Sequence, residues 1–303
     1  MSAFSITVDD NCAMDIPWWL EQSKALNLPI TWFLISSGVD DPKSYKGMTG
    51  TWPVWKNVLE QGNAVESHTA THWHGFQKDG TPPEGWKGIE WEYSDSIREI
   101  EAGLPDHKVH FLAYSGGAGQ KLHDRTIAAK YYIAARNSNG TNPANQIDYM
   151  MVTYTPYPQL EQLFDPKAKG YRSWVVVLSH FVGNEKFKSA IVQFLDFYKL
   201  HAEELWGGLF GDVARYGQER DTARLEVKEK SASKIAFSLT DEMDDTLFDF
   251  PLTIKVRLNP AWKSASAVQG AKPVDCKIVQ HDGASYALVQ AVPDRGLVVL
   301  SPR

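Results

Sequence analysis

The chain has 303 residues, of which 43% are hydrophobic, 12% aromatic and 22% charged. This composition excludes a disordered, collagen-like or coiled-coil protein and fits one large globular domain, or one domain with an appendage. The 31 Lys and Arg residues against 37 Asp and Glu residues give a net charge of −6, and no basic patch stands out, so nucleic acid is not an expected partner.

The two cysteines and the apolar runs bear on compartment. Cys12 and Cys276 lie near opposite ends of the chain without metal-type spacing, so we expect free thiols. No apolar run reaches the about 18 residues of a membrane-spanning helix, so no membrane span is expected. No signal peptide is visible. Localisation stays open, secreted or periplasmic if a leader has been removed and cytoplasmic otherwise, and so does the oligomeric state.

Short apolar runs alternate with helical patterns over about the first 225 residues, which predicts repeated β/α units around a parallel sheet or barrel. Phe4–Val8 is the first predicted strand, Trp18–Leu26 the first helix, and Pro29–Ile35 a continuous apolar run typical of a buried parallel strand. The further predicted elements are helices at 54–59 and 94–103 and strands at 64–67, 110–114, 131–135 and 173–179.

A long helical pattern is followed by short alternating segments in the last quarter of the sequence. The longest helical pattern runs over Lys186–Trp206, with apolar residues at spacings of three and four. Beyond Arg224, short alternating segments are separated by Asn-Pro, Asp-Gly and Asp-Arg-Gly turns. The sequence therefore predicts two domains, residues 1–225 and a small antiparallel β domain at residues 226–303. The second domain shows no cluster of titratable residues that resembles a site.

Chemically useful side chains follow predicted strands, which is where parallel α/β proteins place their sites. Asp9 and Asp10 come directly after the first strand. Two adjacent carboxylates repel each other, so a metal ion or a proton would compensate their charge. An ordinary acidic turn is the alternative explanation.

Histidines follow two other predicted strands. His68 and His72 have a His-x3-His spacing that lets two imidazoles reach one cation, and nitrogen ligands suit zinc. Surface or hydrogen-bonded histidines are the alternative, because this spacing also occurs by chance. His74 is either a substrate contact or a further ligand. His180 ends the strand-like run 173–179 and has the chemistry of a general acid near neutral pH, although a lone histidine there is also compatible with a structural role.

These segments in this chain order resemble the polysaccharide deacetylase family, the NodB-homology or carbohydrate esterase family 4 hydrolases. The resemblance covers about Phe4 to about Arg220 and implies an α/β fold, a distorted (β/α) barrel of the NodB type, followed here by the small C-terminal β-rich domain. The segments that carry it are Thr7-Val-Asp9-Asp10, Pro29-Ile-Thr-Trp-Phe-Leu, His68-Thr-Ala-Thr-His72 and Leu178-Ser-His180.

The resemblance also implies a role for each of these residues. It implies a catalytic base at Asp9 and a general acid at His180. It further implies a divalent metal held by Asp10, His68 and His72, which would be Zn2+ or another transition metal such as Co2+ or Ni2+.

The third family motif departs from the majority form. Where most members carry an Arg-x-Pro-x-Gly loop, this chain has Phe-Leu-Ala-Tyr-Ser-Gly-Gly from residue 111, so the arginine that would orient the base is missing. Arg136, at the end of the next predicted strand, is a candidate substitute, with a plain surface arginine as the alternative. The backbone N–H groups of Tyr114, Ser115 and Gly116 are candidate oxyanion donors.

The expected function is that of a metal-dependent hydrolase that removes N- or O-linked acetyl groups from a carbohydrate polymer or oligosaccharide. The acetylated glycan would be its partner, and Trp174 is a candidate wall of the acetyl pocket. Two alternatives stay open. One is a catalytically weak, glycan-binding relative in which the altered third motif has disabled the base. The other is a metal-dependent amidase acting on a non-carbohydrate substrate.

Overall fold

The chain divides into two compact units. The computed structural model describes residues 1–41, 49–72, 84–116, 119 and 121–303. The units are Met1–Val213 and Ala214–Arg303, and each has a hydrophobic core of its own.

The first unit alternates strands and helices, as the β/α pattern predicts. Its helices are α1 (Ile16–Leu26), α2 (Trp52–Glu60), α3 (Ile89–Gly103), α4 (Leu122–Ala128), α5 (Glu185–Leu200) and the beginning of α6 (Phe210–Thr222). Its strands are β1 (Ser2–Val8), β2 (Ile30–Leu34), β3 (Ala64–Ser67), β4 (Phe111–Ala113), β5 (Ala134–Asn139), β6 (Val152–Tyr154), β7 (Val175–Ser179) and β8 (Leu205–Gly207).

These strands form one curled sheet. Its order is β6-β5-β4-β3-β2-β1-β7, with β8 also paired with β1, and every pair is parallel. The Thr155 N–H donates to the Val176 carbonyl oxygen at 2.8 Å, which ties the chain just after β6 to β7 at the other end of the order. The sheet and its helices therefore form the distorted (β/α) barrel of the NodB type, and the predicted fold class is confirmed.

Aromatic rings fill the inside of the barrel. Successive residues of a strand face opposite sides of a sheet: in β2, Trp32 packs in the core that also contains the helices, so Phe33 faces inward. The Phe33 ring centroid lies 5.6 Å from that of Phe210, and the Phe210 ring also lies 5.9 Å from Phe111 and 5.0 Å from Trp174. The inside of the barrel is thus filled by packed aromatic rings, which lie beneath the polar groups at the carboxyl edge of the sheet.

Local sequence sets the bounds of the first helix. Pro17 stands in the first turn of α1, where a backbone without an N–H leaves no helical hydrogen bond unmade. Asn27 ends the helix in the left-handed region, at a φ of 48°, a conformation that asparagine adopts more readily than most residues. The helix predicted over Trp18–Leu26 is thereby confirmed.

The predicted helix over Lys186–Trp206 is too long at its carboxyl end. Helix α5 stops at Leu200, and Leu205–Gly207 form β8, which pairs with β1. Leu205 is buried in the core of the first unit, so its apolar character follows from strand packing, while its spacing from the helical residues happened to fit the helical period.

The second unit is built from antiparallel strands. One sheet has five strands and the other three, in the orders β13-β12-β16-β10-β9 and β11-β15-β14. Both sheets contribute to one core, for example Phe237 and Leu300 from the larger sheet and Val289 from the smaller. The strands are β9 (Arg224–Lys230), β10 (Ile235–Thr240), β11 (Leu252–Arg257), β12 (Ala265–Gln269), β13 (Lys272–Val274), β14 (Cys276–His281), β15 (Ala284–Ala291) and β16 (Val298–Pro302).

Two further sequence predictions concern thiols and membrane spans. Cys12 and Cys276 are both free cysteines, as their separation predicts. Among the helices of the described ranges, none combines the length and the hydropathy that a bilayer crossing needs.

Candidate active site

Asp9 and Asp10 stand where β1 ends. The Asp9 N–H donates to the Ser179 carbonyl oxygen at 2.9 Å, so Asp9 continues the pairing of β1 with β7. Asp10 and Asn11 then turn the chain with φ values of 62° and 50°. The Asn11 side chain accepts from the Ile35 N–H at 2.6 Å and donates to the Ile35 carbonyl at 2.9 Å. The carboxylates are therefore fixed at the carboxyl edge of the sheet by both neighbours of β1.

His68 follows β3 at the same edge and is buried. Its N–H donates to the Leu34 carbonyl at 2.7 Å. Its Nδ1 lies 2.7 Å from the Ala113 carbonyl oxygen, which can only accept, so Nδ1 carries the ring proton. The other ring nitrogen, Nε2, then faces Asp10 Oδ1 at 3.4 Å and Asp9 Oδ2 at 3.6 Å with its lone pair available to a cation.

His72 is brought beside His68 by a strained loop. Thr69 and His72 have φ values of 70° and 60°, in the region that non-glycine residues rarely occupy. The His72 N–H donates to Thr69 Oγ1 at 3.1 Å, which closes the loop on itself. The two imidazole rings meet with centroids 4.7 Å apart and planes at 71°. The loop conformation therefore turns His72 back toward His68.

Asp10, His68 and His72 form a compact set of ligand atoms. The Asp10 Oδ1 atom lies 3.4 Å from His68 Nε2 and 3.5 Å from His72 Nε2, and one atom from each residue falls within 4.8 Å of the others. Within the described residues, Asp10 Oδ1 is buried without a hydrogen-bond donor. A buried carboxylate oxygen facing two imidazole nitrogens is the donor set that suits a divalent transition metal.

The electrostatics at this point favour a positive charge. Burial acts to raise the pKa of Asp10, but His68, His72 and His180 outweigh it and lower that pKa to about 2. Burial likewise acts to lower the pKa of His68, but Asp9 and Asp10 outweigh it and raise that pKa. Asp10 is therefore held as the carboxylate that a cation binds. The raised pKa of His68 reflects the negative potential of the two aspartates, and a bound cation would take the place of the proton that this potential favours on Nε2.

Arg136, on β5, pairs with Asp9. One guanidinium nitrogen, Nη2, donates to Asp9 Oδ2, and both side chains are buried. The guanidinium carbon lies 5.5 Å from the centroid of the Phe33 ring, so the charge rests on the aromatic layer inside the barrel. Asp9 Oδ1 is buried and lacks a hydrogen-bond donor among the residues the structure describes. Arg136 thus fixes one oxygen of Asp9 and leaves the other outside the ion pair.

His180 follows β7 and reaches the same place. Its Nε2 lies 3.9 Å from Asp10 Oδ2, and 53% of its side chain is exposed. The chain beyond it is anchored by the buried Asp15, whose Oδ2 accepts from the Val182 N–H at 2.7 Å. His180 is therefore on a fixed segment but open to solvent.

The loop after β4 supplies only part of what the sequence predicts. The Tyr114 N–H donates to the Arg136 carbonyl at 3.0 Å, so this N–H is not available to an oxyanion, and the prediction for it is wrong. The Tyr114 ring turns away to pack beside Tyr93 in the outer core. Ser115 is buried and Gly116 is exposed with a φ of 51°. Their N–H groups stay as the candidate donors.

Trp174, a predicted wall of the acetyl pocket, does not lie at this edge. Trp174 precedes β7 and is buried, with its indole N–H donating to Ser5 Oγ at 3.1 Å and its ring against Phe210. It therefore lies at the opposite end of β7 from His180 and belongs to the barrel interior, because the run from residue 174 to 179 is extended strand. His74 lies outside the described residues.

Glu92 is a residue at the site that sequence reasoning missed. Its side chain has an exposed fraction of 0% and accepts from the Thr71 N–H at 2.8 Å, the Thr71 hydroxyl at 2.5 Å and the Trp86 indole N–H at 3.1 Å. Its backbone carbonyl accepts from the Ala70 N–H at 3.0 Å. Helix α3 thus holds the segment between His68 and His72. No spacing rule signals this contact, because Glu92 is on a separate helix.

A second acidic cluster lies in the second unit. Asp241, Asp245 and Asp294 each offer a carboxylate oxygen within 4.8 Å of the others, so the sequence-based statement that this unit has no such cluster is wrong. The three residues come from two separated turns, which linear spacing does not reveal. The cluster consists of carboxylate oxygens alone, and such acidic clusters are common without a bound ion.

Comparison with known proteins finds a family that part of the first unit resembles. Residues 2–134 match the family described as Polysaccharide deacetylase. A curated Bacillus protein named gellan lyase is 33% identical to this chain over an alignment that covers 99% of this chain and 13% of that protein. The chain thus spans a small part of the length of this relative.

Solved structures with similar folds have low sequence identity to the chain. A pseudoenzyme of carbohydrate esterase family 4 from Bacillus anthracis is 17% identical, with a TM-score of 0.44 and coverage of 70% of this chain and 65% of that one. A Streptococcus pyogenes deacetylase in complex with acetate is 18% identical, with a TM-score of 0.41 and coverage of 49% and 62%. Residues 2–134 of the chain are thus similar to the polysaccharide deacetylase family.

Proposed function

We propose that the first unit is a metal-dependent deacetylase that removes N- or O-linked acetyl groups from a carbohydrate polymer or oligosaccharide. One observation carries the proposal. One candidate ligand atom from each of Asp10, His68 and His72 lies within 4.8 Å of the other two, at the same edge of the sheet as Asp9 and His180. A metal-ligand set, a carboxylate base and an imidazole acid are the three parts that metal-assisted hydrolysis of an acyl bond uses at one place.

Asp10, His68 and His72 would hold the metal, with Zn2+ as the first choice and Co2+ or Ni2+ as others. Two observations indicate that these residues suit a metal ion. Asp10 Oδ1 accepts no hydrogen bond from the described residues, and the Nδ1 proton of His68 is held by the Ala113 carbonyl, which leaves Nε2 as the ligand atom. When bound, a divalent ion would polarise the acetyl carbonyl and lower the pKa of a water molecule toward about 7. Three protein ligands leave further coordination positions open, as catalytic rather than structural sites do.

Asp9 is the proposed base. Arg136 holds one of its oxygens, which orients the carboxylate and compensates its buried charge, and leaves Oδ1 to accept the proton of the attacking water. A guanidinium in this position does for Asp9 what the missing arginine of the third motif is expected to do. The Arg136–Asp9 pair therefore favours an active enzyme over the catalytically weak relative.

Ser115, Gly116 and His180 have the remaining roles in this proposal. The backbone N–H groups of Ser115 and Gly116 would stabilise the oxyanion, where one such donor is typically worth about 3 kcal/mol. His180 would protonate the leaving amine or alcohol, and its exposed side chain suits a leaving group that belongs to a large glycan. All these residues lie within residues 1–225, so we assign the chemistry to that domain and none to residues 226–303.

Acetate release tests the function directly. Across N-acetylated chito-oligosaccharides, O-acetylated xylo-oligosaccharides and N-acetylated linear amides, we expect release from at least one glycan, loss of release after treatment with a chelator, and recovery with Zn2+, Co2+ or Ni2+. Release from the linear amides alone would favour the non-carbohydrate amidase. Activity on the glycans that survives complete metal removal would overturn the metal-dependent mechanism.

The two aspartates differ in what their amide variants lose. Asp9→Asn should keep the metal and lower kcat by about 10²–10⁴-fold, the usual worth of a positioned base. Asp10→Asn should weaken metal binding, so that added metal restores part of the activity. Metal content, thermal stability and kcat of both variants decide the matter. If Asp9→Asn loses the metal while Asp10→Asn retains it, the two roles are reversed.

The role of His180 depends on the leaving group. His180→Ala should leave metal content unchanged and slow hydrolysis of an acetylated glycan by about 10²–10⁴-fold. Hydrolysis of an activated aryl acetate should slow much less, because its leaving group is stable without protonation. His123, an exposed histidine on α4, provides the matched control as His123→Ala. Equal losses on both substrates would contradict an acid role.

Glu92 should act on the metal through the loop it holds. Glu92→Gln places an amide where three donors converge, so it should loosen the segment between His68 and His72 and weaken metal binding by about 10–100-fold, the range for groups that orient ligands. Glu90→Gln, two residues away on the same helix and bonded to Lys130 and Tyr131, is the control. Calorimetric metal titration measures both. Unchanged affinity in folded Glu92→Gln would contradict this positioning role.

A further inference from the structure

An exposed aromatic residue directly follows the candidate general acid in the chain. Phe181 directly follows His180 in the chain, and 40% of Phe181 is exposed. His180 itself approaches Asp10 at 3.9 Å. Single exposed aromatic residues are common on protein surfaces, and what distinguishes Phe181 is its place in the chain directly after His180, the proposed general acid.

A glycine makes room for this ring. A Cβ built at Gly183 would lie 2.1 Å from Phe181 Cζ and 2.6 Å from Cε2, far inside contact distance. Gly183 is not among the glycines with positive φ, so its backbone conformation does not require a glycine. The absence of a side chain instead lets the Phe181 ring rest against the backbone, with its remaining surface open to solvent.

The segment that carries the ring is held on both sides. Asp15 Oδ2 accepts from the Val182 N–H at 2.7 Å, and the Val182 side chain is buried in the core of the first unit. Asn184 caps α5 by accepting from the Lys186 N–H at 2.9 Å. A ring on such a segment is already ordered before a ligand arrives, so stacking on it loses little conformational entropy.

We infer that Phe181 is a sugar-binding platform that stacks against a ring of the glycan next to the acetyl group being removed. The inference rests on the proposed deacetylase function and extends it to the specificity of the same site. The C–H hydrogens on one face of a pyranose carry partial positive charge and suit the negative face of an aromatic ring. The substrate is the ligand that suits this position, because Phe181 adjoins His180 in the chain. A large protein partner bound to Phe181 would cover the proposed acid, whereas the substrate has to reach it.

Variants of Phe181 and Gly183, together with one control, separate this role from a structural one. Phe181→Ala removes the ring, Gly183→Ala displaces it, and Phe164→Ala alters a ring of similar exposure, 36%, that stacks on Phe197 and His201 instead. The probes are chitotetraose and xylotetraose, measured by calorimetry without turnover, and their acetylated forms, measured by acetate release. Thermal stability and metal content verify that each variant is folded.

Phe181→Ala should raise both the dissociation constant and KM for the preferred tetrasaccharide by about tenfold, which corresponds to one aromatic stacking contact. Gly183→Ala should shift both in the same direction. Phe181→Trp should restore binding, and Phe164→Ala should match the wild type. If wild type deacetylates a glycan while Phe181→Ala binds and turns it over as well as wild type does, the platform is overturned and the function stands.

The outcome for the function is read separately. If wild type binds a tetrasaccharide without releasing acetate from any glycan, and Phe181→Ala loses that binding, the deacetylase proposal fails and the platform stands. If wild type neither binds the tetrasaccharides nor releases acetate, both are overturned.

Discussion

Two adjacent carboxylates at the end of β1 carry charge that has to be compensated in a largely buried place. Asp9 is paired with the buried guanidinium of Arg136, which itself rests on Phe33. Asp10 faces imidazole nitrogens instead. Because an unpaired buried charge is strongly destabilising, the two carboxylates differ in what they can do. Asp9 has a permanent partner and keeps a fixed orientation, and Asp10 is the one whose charge a bound cation would compensate.

The histidine pair depends on backbone conformation as much as on spacing. In an extended chain, residues four apart are too distant for both to reach one ion, and the loop brings His68 and His72 together only by placing Thr69 and His72 at positive φ. Such strain persists only where surrounding contacts enforce it. Glu92 supplies them through Thr71, so helix α3 takes part in building the site although none of its side chains is a candidate ligand.

The sequence predicts the barrel and the residues at its edge because these depend on short-range patterns. Parallel strands end at one edge, so Asp9, His68 and His180 meet whatever the loops between them do. What the sequence cannot supply is long-range pairing. The Thr71–Glu92 contact, the use of the Tyr114 N–H by Arg136 and the burial of Trp174 against Phe210 all depend on which elements become neighbours. The end of α5 was missed for the same reason, since β8 exists only because β1 is there to pair with it.

Arg136 supplies from another place in the sequence the guanidinium that the third motif is expected to supply. The guanidinium expected from the loop after β4 is absent from that loop, yet one on β5, the strand beside β4, reaches Asp9. Neighbouring strands lie about 4.8 Å apart, a distance that the length of an arginine side chain spans. An arginine on either strand can therefore orient the same carboxylate. Whether a relative with an altered third motif is active should be judged by what pairs with its first aspartate, and here that partner is present.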